Sequence, residues 1–186
     1  VHVDGSSLSL KKNIKLTKKI VNMVKDKETI VEGEVGHIPG GSEVHKERLF
    51  LDKKEYTDPQ VALEFVNKTG VDSLAILIGN VHGIYQKMPE IDHDRLVSIR
   101  KTVKQYLVFH GGSGFSEEEI EKVIKEGIVK ININTELRVA WKEATWKAIN
   151  NNRNEFKPYK ILEGVPEKVA EVVASKIKLF RSQNKV

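Results

Sequence analysis

The sequence predicts an α/β protein of parallel βαβ units, specifically a (β/α)8 TIM barrel of which residues 1–186, one partial barrel domain, supply about the last five βα units. Three observations lead there. Short apolar runs alternate with amphipathic stretches carrying helical start and stop signals, the pattern of parallel βαβ units. A polar residue with chemical potential closes every apolar run: Asp4, Glu34, His82, His110, and Asn132 with Asn134. An open doubly wound sheet concentrates its site at one switch point, whereas a barrel gathers residues from many strand ends around one mouth, so this spread favours the barrel. Finally, a complete barrel takes ~250 residues and eight strands. The chain has 186 residues, and it opens on Val1 inside a strand-like VHVDGS, so it reads as cut. About three βα units are expected ahead of Val1.

Each element has its own justification. VHV (1–3), TIVEGEV (29–35), SLAILIG (73–79), YLVFH (106–110) and IVKINI (128–133) have the length and content of buried strands. Between the first two, a helix over about 11–26 carries the lysine run KKNIKLTKKIVNMVKDK, read as a solvated helix face because no aromatic residue is interleaved with it. After Thr57, taken as the cap, come Asp58 and Pro59, then Val61, Ala62, Phe65 and Val66 on one face, and Gly70 as the stop. Ser116 with Glu119 forms a capping box, Ile120, Val123 and Ile124 supply the apolar stripe, and Gly127 ends that helix. Further helices are expected over about 93–105, 135–150 and 165–181.

Bulk composition narrows the function classes. Hydrophobic residues make up 39% and charged residues 31%, ordinary for a globular domain. Lys plus Arg number 31 against 26 Asp plus Glu, and the excess is scattered; no nucleic-acid motif accompanies it, so no nucleic-acid partner is expected. The absence of cysteine excludes disulfides and thiolate catalysis. No apolar run approaches the ~18 residues of a membrane span, so no membrane partner is expected and a cytoplasmic protein fits best.

His82 and His110 stand at successive strand ends, where a barrel would bring two imidazoles toward a common point, as a catalytic zinc requires. The alternative is a pair of hydrogen-bonded strand-end residues, and a zinc normally takes a third protein ligand. His2 and His93 have no glycine or acidic context that suggests a site, and His37 and His45, flanking a glycine-rich loop, are expected to be exposed. In HGGSG, Gly111, Gly112 and Ser113 could cradle an anion through main-chain N–H groups and a hydroxyl, the alternative being a tight strand-to-helix turn. Asn132, Asn134 and Thr135 would form the adjoining wall, although Thr135 could equally cap the next helix. The long loop GHIPGGSEV (36–44) is a candidate lid that would deliver Glu43 on closing; a solvated glutamate is the plain alternative. Neither G-x-S-x-G nor G-x-G-x-x-G occurs.

Taken in order, VDGS, VEGEVG with PGGSE, YTDPQVALEFVNKTGVDSLAILIGNVHGIY, IDHDRL, FHGGSG and KININTELR resemble the class II, metal-dependent fructose-bisphosphate and tagatose-bisphosphate aldolases over nearly the whole chain. The resemblance implies a zinc that polarises the carbonyl of dihydroxyacetone phosphate while a glutamate takes a proton from the neighbouring carbon. It matches His82 and His110 to two zinc ligands, with Glu34 and Asp4 as alternates beside the metal, where there is room for a monovalent cation in addition. It matches Glu43 to the mobile proton-transfer residue, and Gly83, Gly111, Gly112, Ser113, Asn132, Ile133, Asn134 and Thr135 to the groups that bind the phosphorylated ketose. An open five-stranded sheet would expose apolar strand and helix surface, so a longer polypeptide or a homo-oligomer, dimer or tetramer, is expected. Three departures stand out. The family's Asp-His pair, source of the third ligand and a general acid, precedes VDGS and has no counterpart here. HIP makes the lid one residue longer than usual, and Lys157 to Leu162 read KPYKIL where relatives commonly read D-P-R-K-Y-L. This chain alone is therefore expected to be inactive, and a non-catalytic phosphosugar-binding relative is the rival reading.

Overall fold

A computed structural model of the chain describes residues 1–185. In chain order the elements are β1 (His2–Val3), α1 (Leu10–Val24), β2 (Glu32–Val35), β3 (Val44–His45), a 3-10 turn (Lys53–Glu55), α2 (Pro59–Thr69), β4 (Ser73–Ile76) and β5 (Ile84–Tyr85). Then follow α3 (His93–Thr102), β6 (Tyr106–Phe109), α4 (Glu117–Lys125), β7 (Ile128–Ile131), α5 (Thr135–Asn151), α6 (Pro158–Ile161) and α7 (Val165–Leu179).

Five strands form one sheet in the order β1-β2-β4-β6-β7, every pair parallel. Spatial order follows chain order without a reversal. Right-handed crossovers then stack successive helices on one face of the sheet, as in a barrel wall and unlike a doubly wound sheet. Accordingly α1 packs on α2, and α2 on α3.

Period-two alternation decides which side chains enter the core. Val3, Val35, Leu74, Ile76, Leu107, Phe109 and Ile128 join Phe65, Leu96, Ile99, Ile120 and Val123 of the helices in one apolar cluster. Phe65 is fully buried, and its ring lies so close to Gly33 that any side chain there would collide with it. The intervening positions His2, Glu32, Glu34 and His110 meet on the opposite face, and a register shift in the β6–β7 pair brings Lys130, two residues from core Ile128, to that same face. A one-residue slip of β2 would bury these carboxylates under the helices, so the pattern fixes the register.

Several expectations are sharpened. Asp58, not Thr57, caps α2, its carboxylate accepting from the Gln60 and Val61 amides. Thr57 is instead buried, its hydroxyl donating to the Val35 carbonyl at 2.6 Å and accepting from the Leu77 amide at 2.8 Å, which ties β2 to the end of β4. Ser116 caps α4 by accepting from the Glu119 amide, but only half of the capping box forms. The Glu119 carboxylate turns to His93 of α3, whose other ring nitrogen lies 2.6 Å from Glu126. An imidazole is a stronger partner for a carboxylate than a backbone N–H, and it docks α3 on α4. The short parallel pair β3–β5 and helix α6 carry too few residues to show a period in the sequence.

Candidate metal and phosphate site

His110 follows β6 directly and is buried. Its Nε2 lies 2.8 Å from Glu32 Oε1 and its Nδ1 3.3 Å from Glu34 Oε2. Lys130 donates to the second oxygen of Glu32 at 2.8 Å. His2, on the edge strand, reaches Glu34 Oε2 at 3.3 Å and sets its ring edge-on to His110 with centroids 4.9 Å apart. Burial pushes the Glu32 and Glu34 carboxyls up, but hydrogen bonds from His110, with Lys130 on one and His2 on the other, outweigh it and hold both at about 2. Burial alone would lower His110; the two carboxylates overcome that and raise it to about 9.

Of this cluster, only Glu34 and His110 stand out in the sequence. Ligand atoms of His2, Glu34 and His110 all lie within 4.8 Å of one another, a mixed imidazole and carboxylate set of the kind zinc accepts. The acidic partner of His2 comes across the β1–β2 ladder and not from Asp4 in its own stretch. His93 likewise gains acidic partners from another helix, although it lies outside this cluster. Alternation along β1 and β2 was the available signal, since His2, Glu32 and Glu34 share one sheet face.

The ring of His82 lies 6.3 Å from that of His110, centroid to centroid, and is tilted 40° to it. It lies beyond the strand proper, since β4 ends at Ile76. Fully buried Asn80 sets the path between them: its side chain accepts from the Ile78 amide and donates to the Ile76 and His110 carbonyls. Asn80 was missed from sequence because a lone asparagine in a loop carries no pattern. Burial, then the neighbouring positive His110, push His82 down, which favours the neutral imidazole that a metal needs. Asp4 is exposed, holds the Ser6 hydroxyl at 2.7 Å, and stands near enough to His82 to favour its charged form.

The glycine-rich turn beside His110 is shaped by neighbouring backbone. Gly111 has φ +66°, and a Cβ there would come within 2.1 Å of the Val81 carbonyl oxygen. The Gly112 amide donates to the Asn132 carbonyl at 3.0 Å, and the Asn134 amide to the Ser113 hydroxyl oxygen at 3.3 Å, so the two expected walls of the cradle are bonded together. Ser113 and Thr135 are buried, and the Ser113 hydroxyl, having accepted one bond, still has a proton to donate. Ile133 lies against Gly112. Asn134 takes the cap position of α5, and Thr135 is its first residue.

Over this floor lies the loop bearing Glu43. β3 pairs with β5, the Ile84 amide donates to the Glu43 carbonyl at 2.9 Å, and the His82 amide to the Pro39 carbonyl at 2.9 Å. Gly83, at φ +102°, leaves no room for a side chain between itself, the Gly41 carbonyl and the His45 ring. His45, expected to be exposed, stacks half-buried on Tyr85 with centroids 4.2 Å apart; His37 is exposed. The Glu43 side chain is exposed, and after burial its charge is what pushes the Tyr85 phenol up.

A chain-ordered parallel sheet with histidines, carboxylates and a glycine-serine turn gathered at its strand ends defines part of a (β/α)8 barrel with a polar mouth. The model of the family "Fructose-bisphosphate aldolase class-II" matches residues 1–185, and the chain belongs to that family. The crystal structure of the YdjI aldolase from Escherichia coli K12 superposes with TM-score 0.80 at 36% identity, covering 99% of this chain and 61% of that one. A fructose-bisphosphate aldolase from Campylobacter jejuni, at 21% identity, shows the same fold with TM-score 0.80, covering 100% of this chain and 61% of its own. The chain therefore spans about three fifths of the length of these relatives. Among the described residues, no helix is long and apolar enough to cross a membrane.

Proposed function

We propose that residues 1–186 form part of the barrel domain of a cytoplasmic, oligomeric class II ketose-bisphosphate aldolase. The reaction is the reversible cleavage of fructose 1,6-bisphosphate or tagatose 1,6-bisphosphate to dihydroxyacetone phosphate and glyceraldehyde 3-phosphate. One observation carries the reading: the His2, Glu34 and His110 cluster, with His82 beside it, adjoins the 111–113 turn at the same end of one sheet. His110 and His82, with Glu34 or His2 as further donors and Asp4 nearby, would hold zinc, and a monovalent cation could share the carboxylates. Bound there, zinc would supply Lewis-acid stabilisation of the negative charge that develops on the ketose carbonyl oxygen.

The remaining work falls to the chain's own groups. Gly111, Gly112, Ser113, Asn132, Ile133, Asn134 and Thr135 form the pocket for the ketose phosphate, with the Ser113 hydroxyl and the main-chain amides not already bonded within the cradle as donors, and Gly83 opposite them under the loop. This fixes the carbon next to the carbonyl relative to the loop. Glu43 on the closed loop takes a proton from that carbon in the condensation direction and returns it in cleavage. Glu32, bridging His110 and Lys130, orients the His110 ring.

Calorimetric titration of the chain with dihydroxyacetone phosphate, with zinc and then with a chelator, tests this. Binding that requires zinc and disappears in His110→Ala is expected. Equal binding in chelator would support a non-catalytic phosphosugar-binding protein instead.

A further inference from the structure

Arg138 does not touch the metal cluster, yet it touches the two parts of the mouth that must act together. It lies one turn into α5, on the exposed side. Its Nε donates to Asn134 Oδ1 at 3.1 Å, and its Nη1 points at the Ser42 carbonyl at 3.4 Å. The amide of Asn134 is itself held by Ser113. A continuous series of polar contacts thus runs from Ser113 through Asn134 and Arg138 to Ser42, which is bonded covalently to Glu43. Between the two sides is a cleft of about 310 Å³, with Ser42, Glu43 and Val44 facing Thr135, Arg138 and Lys142.

We propose that Arg138 is a positioning residue that latches the Glu43 loop to the phosphate cradle, so that an anion in the cradle closes the loop and a closed loop tightens the cradle. The proposal rests on the phosphate reading of the 111–113 and 132–135 segments. The guanidinium is always charged and planar, so it can meet two acceptors on different segments at once. An anion beside Ser113 and Asn134 draws that charge inward and reinforces both contacts. Lysine, a single point charge, can serve only one side. Because the latch is exposed, its strength is modest, and the coupling belongs at the low end of the usual 5- to 150-fold range, about fivefold.

Hydrogen exchange of the whole chain with and without inorganic phosphate tests it, together with calorimetric phosphate affinity. In the wild type, phosphate should slow exchange both at 111–114 and 132–136 and in the loop at 42–45. In Arg138→Gln the first protection should persist while the second falls by about fivefold. Linkage is reciprocal, so phosphate affinity should fall by the same factor, and Arg138→Lys should be intermediate. The exposed helical position makes both variants compatible with the fold. Protection of the cradle with undiminished loop protection in Arg138→Gln overturns the latch and leaves the cradle standing. No phosphate protection anywhere in the wild type overturns the cradle reading and the latch with it.

Discussion

At the scale of single residues, the cluster around His110 has opposite pH dependences at its two ends. Glu32 and Glu34 are held at about 2, below their ordinary 4.5, so their contribution to stability is complete above about 4.5 and is lost as pH falls toward 2. His110 is raised from 6.5 to about 9, so its contribution is complete below 6.5 and is lost as pH rises through 9. Both are complete between about 4.5 and 6.5. In the presence of a chelator, thermal unfolding should give a maximum in that window, with a decline on the alkaline side that His110→Gln lacks. A wild type and a variant with identical alkaline profiles would sink the account. The individual residues of the cluster were partly legible in the sequence: His110 and Glu34 stood at strand ends. His2, Glu32 and Lys130 were not, because their significance lies in cross-strand pairing, and pairing partners are set by register rather than by neighbours in the chain.

At the scale of elements, helices carry stronger local signals than loops. α4 shows why: Ser116, a stripe at Ile120, Val123 and Ile124, and Gly127 are local signals, and the structure places cap, buried face and terminus accordingly. Ser116→Ala should lower unfolding free energy by about 1 kcal/mol, the usual cost of a lost cap, measured by urea denaturation. A change near zero would mean that the Glu119 contact with His93 already fixes the helix start. The strand-to-helix loops were less legible. Nothing local says that residues 44 and 45 pair with 84 and 85, since two-residue strands have no period to detect. That pairing puts the Glu43 loop over His82 and Gly83.

At the scale of the whole molecule, two features set expectations for assembly. The described sheet has two edges, β1 and β7. Trp141, Trp146, Ile149, Phe156 and Tyr159 expose large apolar surfaces along α5 and its continuation, Trp146 at 70% and Phe156 at 86%. Patches of this kind are normally covered in the assembled protein. The isolated chain should therefore self-associate at high micromolar concentration in sedimentation experiments, and Trp146→Glu should reduce this. A monodisperse 21.1 kDa species for the wild type would refute the expectation.

The sequence by itself determined the alternation of strands and helices and the order in which polar residues arrive at the strand ends. Those follow from local periodicity and from turn and cap chemistry, which neighbouring residues suffice to specify. Only the tertiary structure decided which of those polar residues meet. Parallel register brings His2 to Glu34 and Lys130 to Glu32, buried Asn80 joins the β4 end to the carbonyl of His110, and the β3–β5 pair and Arg138 lay the Glu43 loop across the mouth. Contacts between residues this far apart in the chain depend on how the strands stack, which no local pattern encodes.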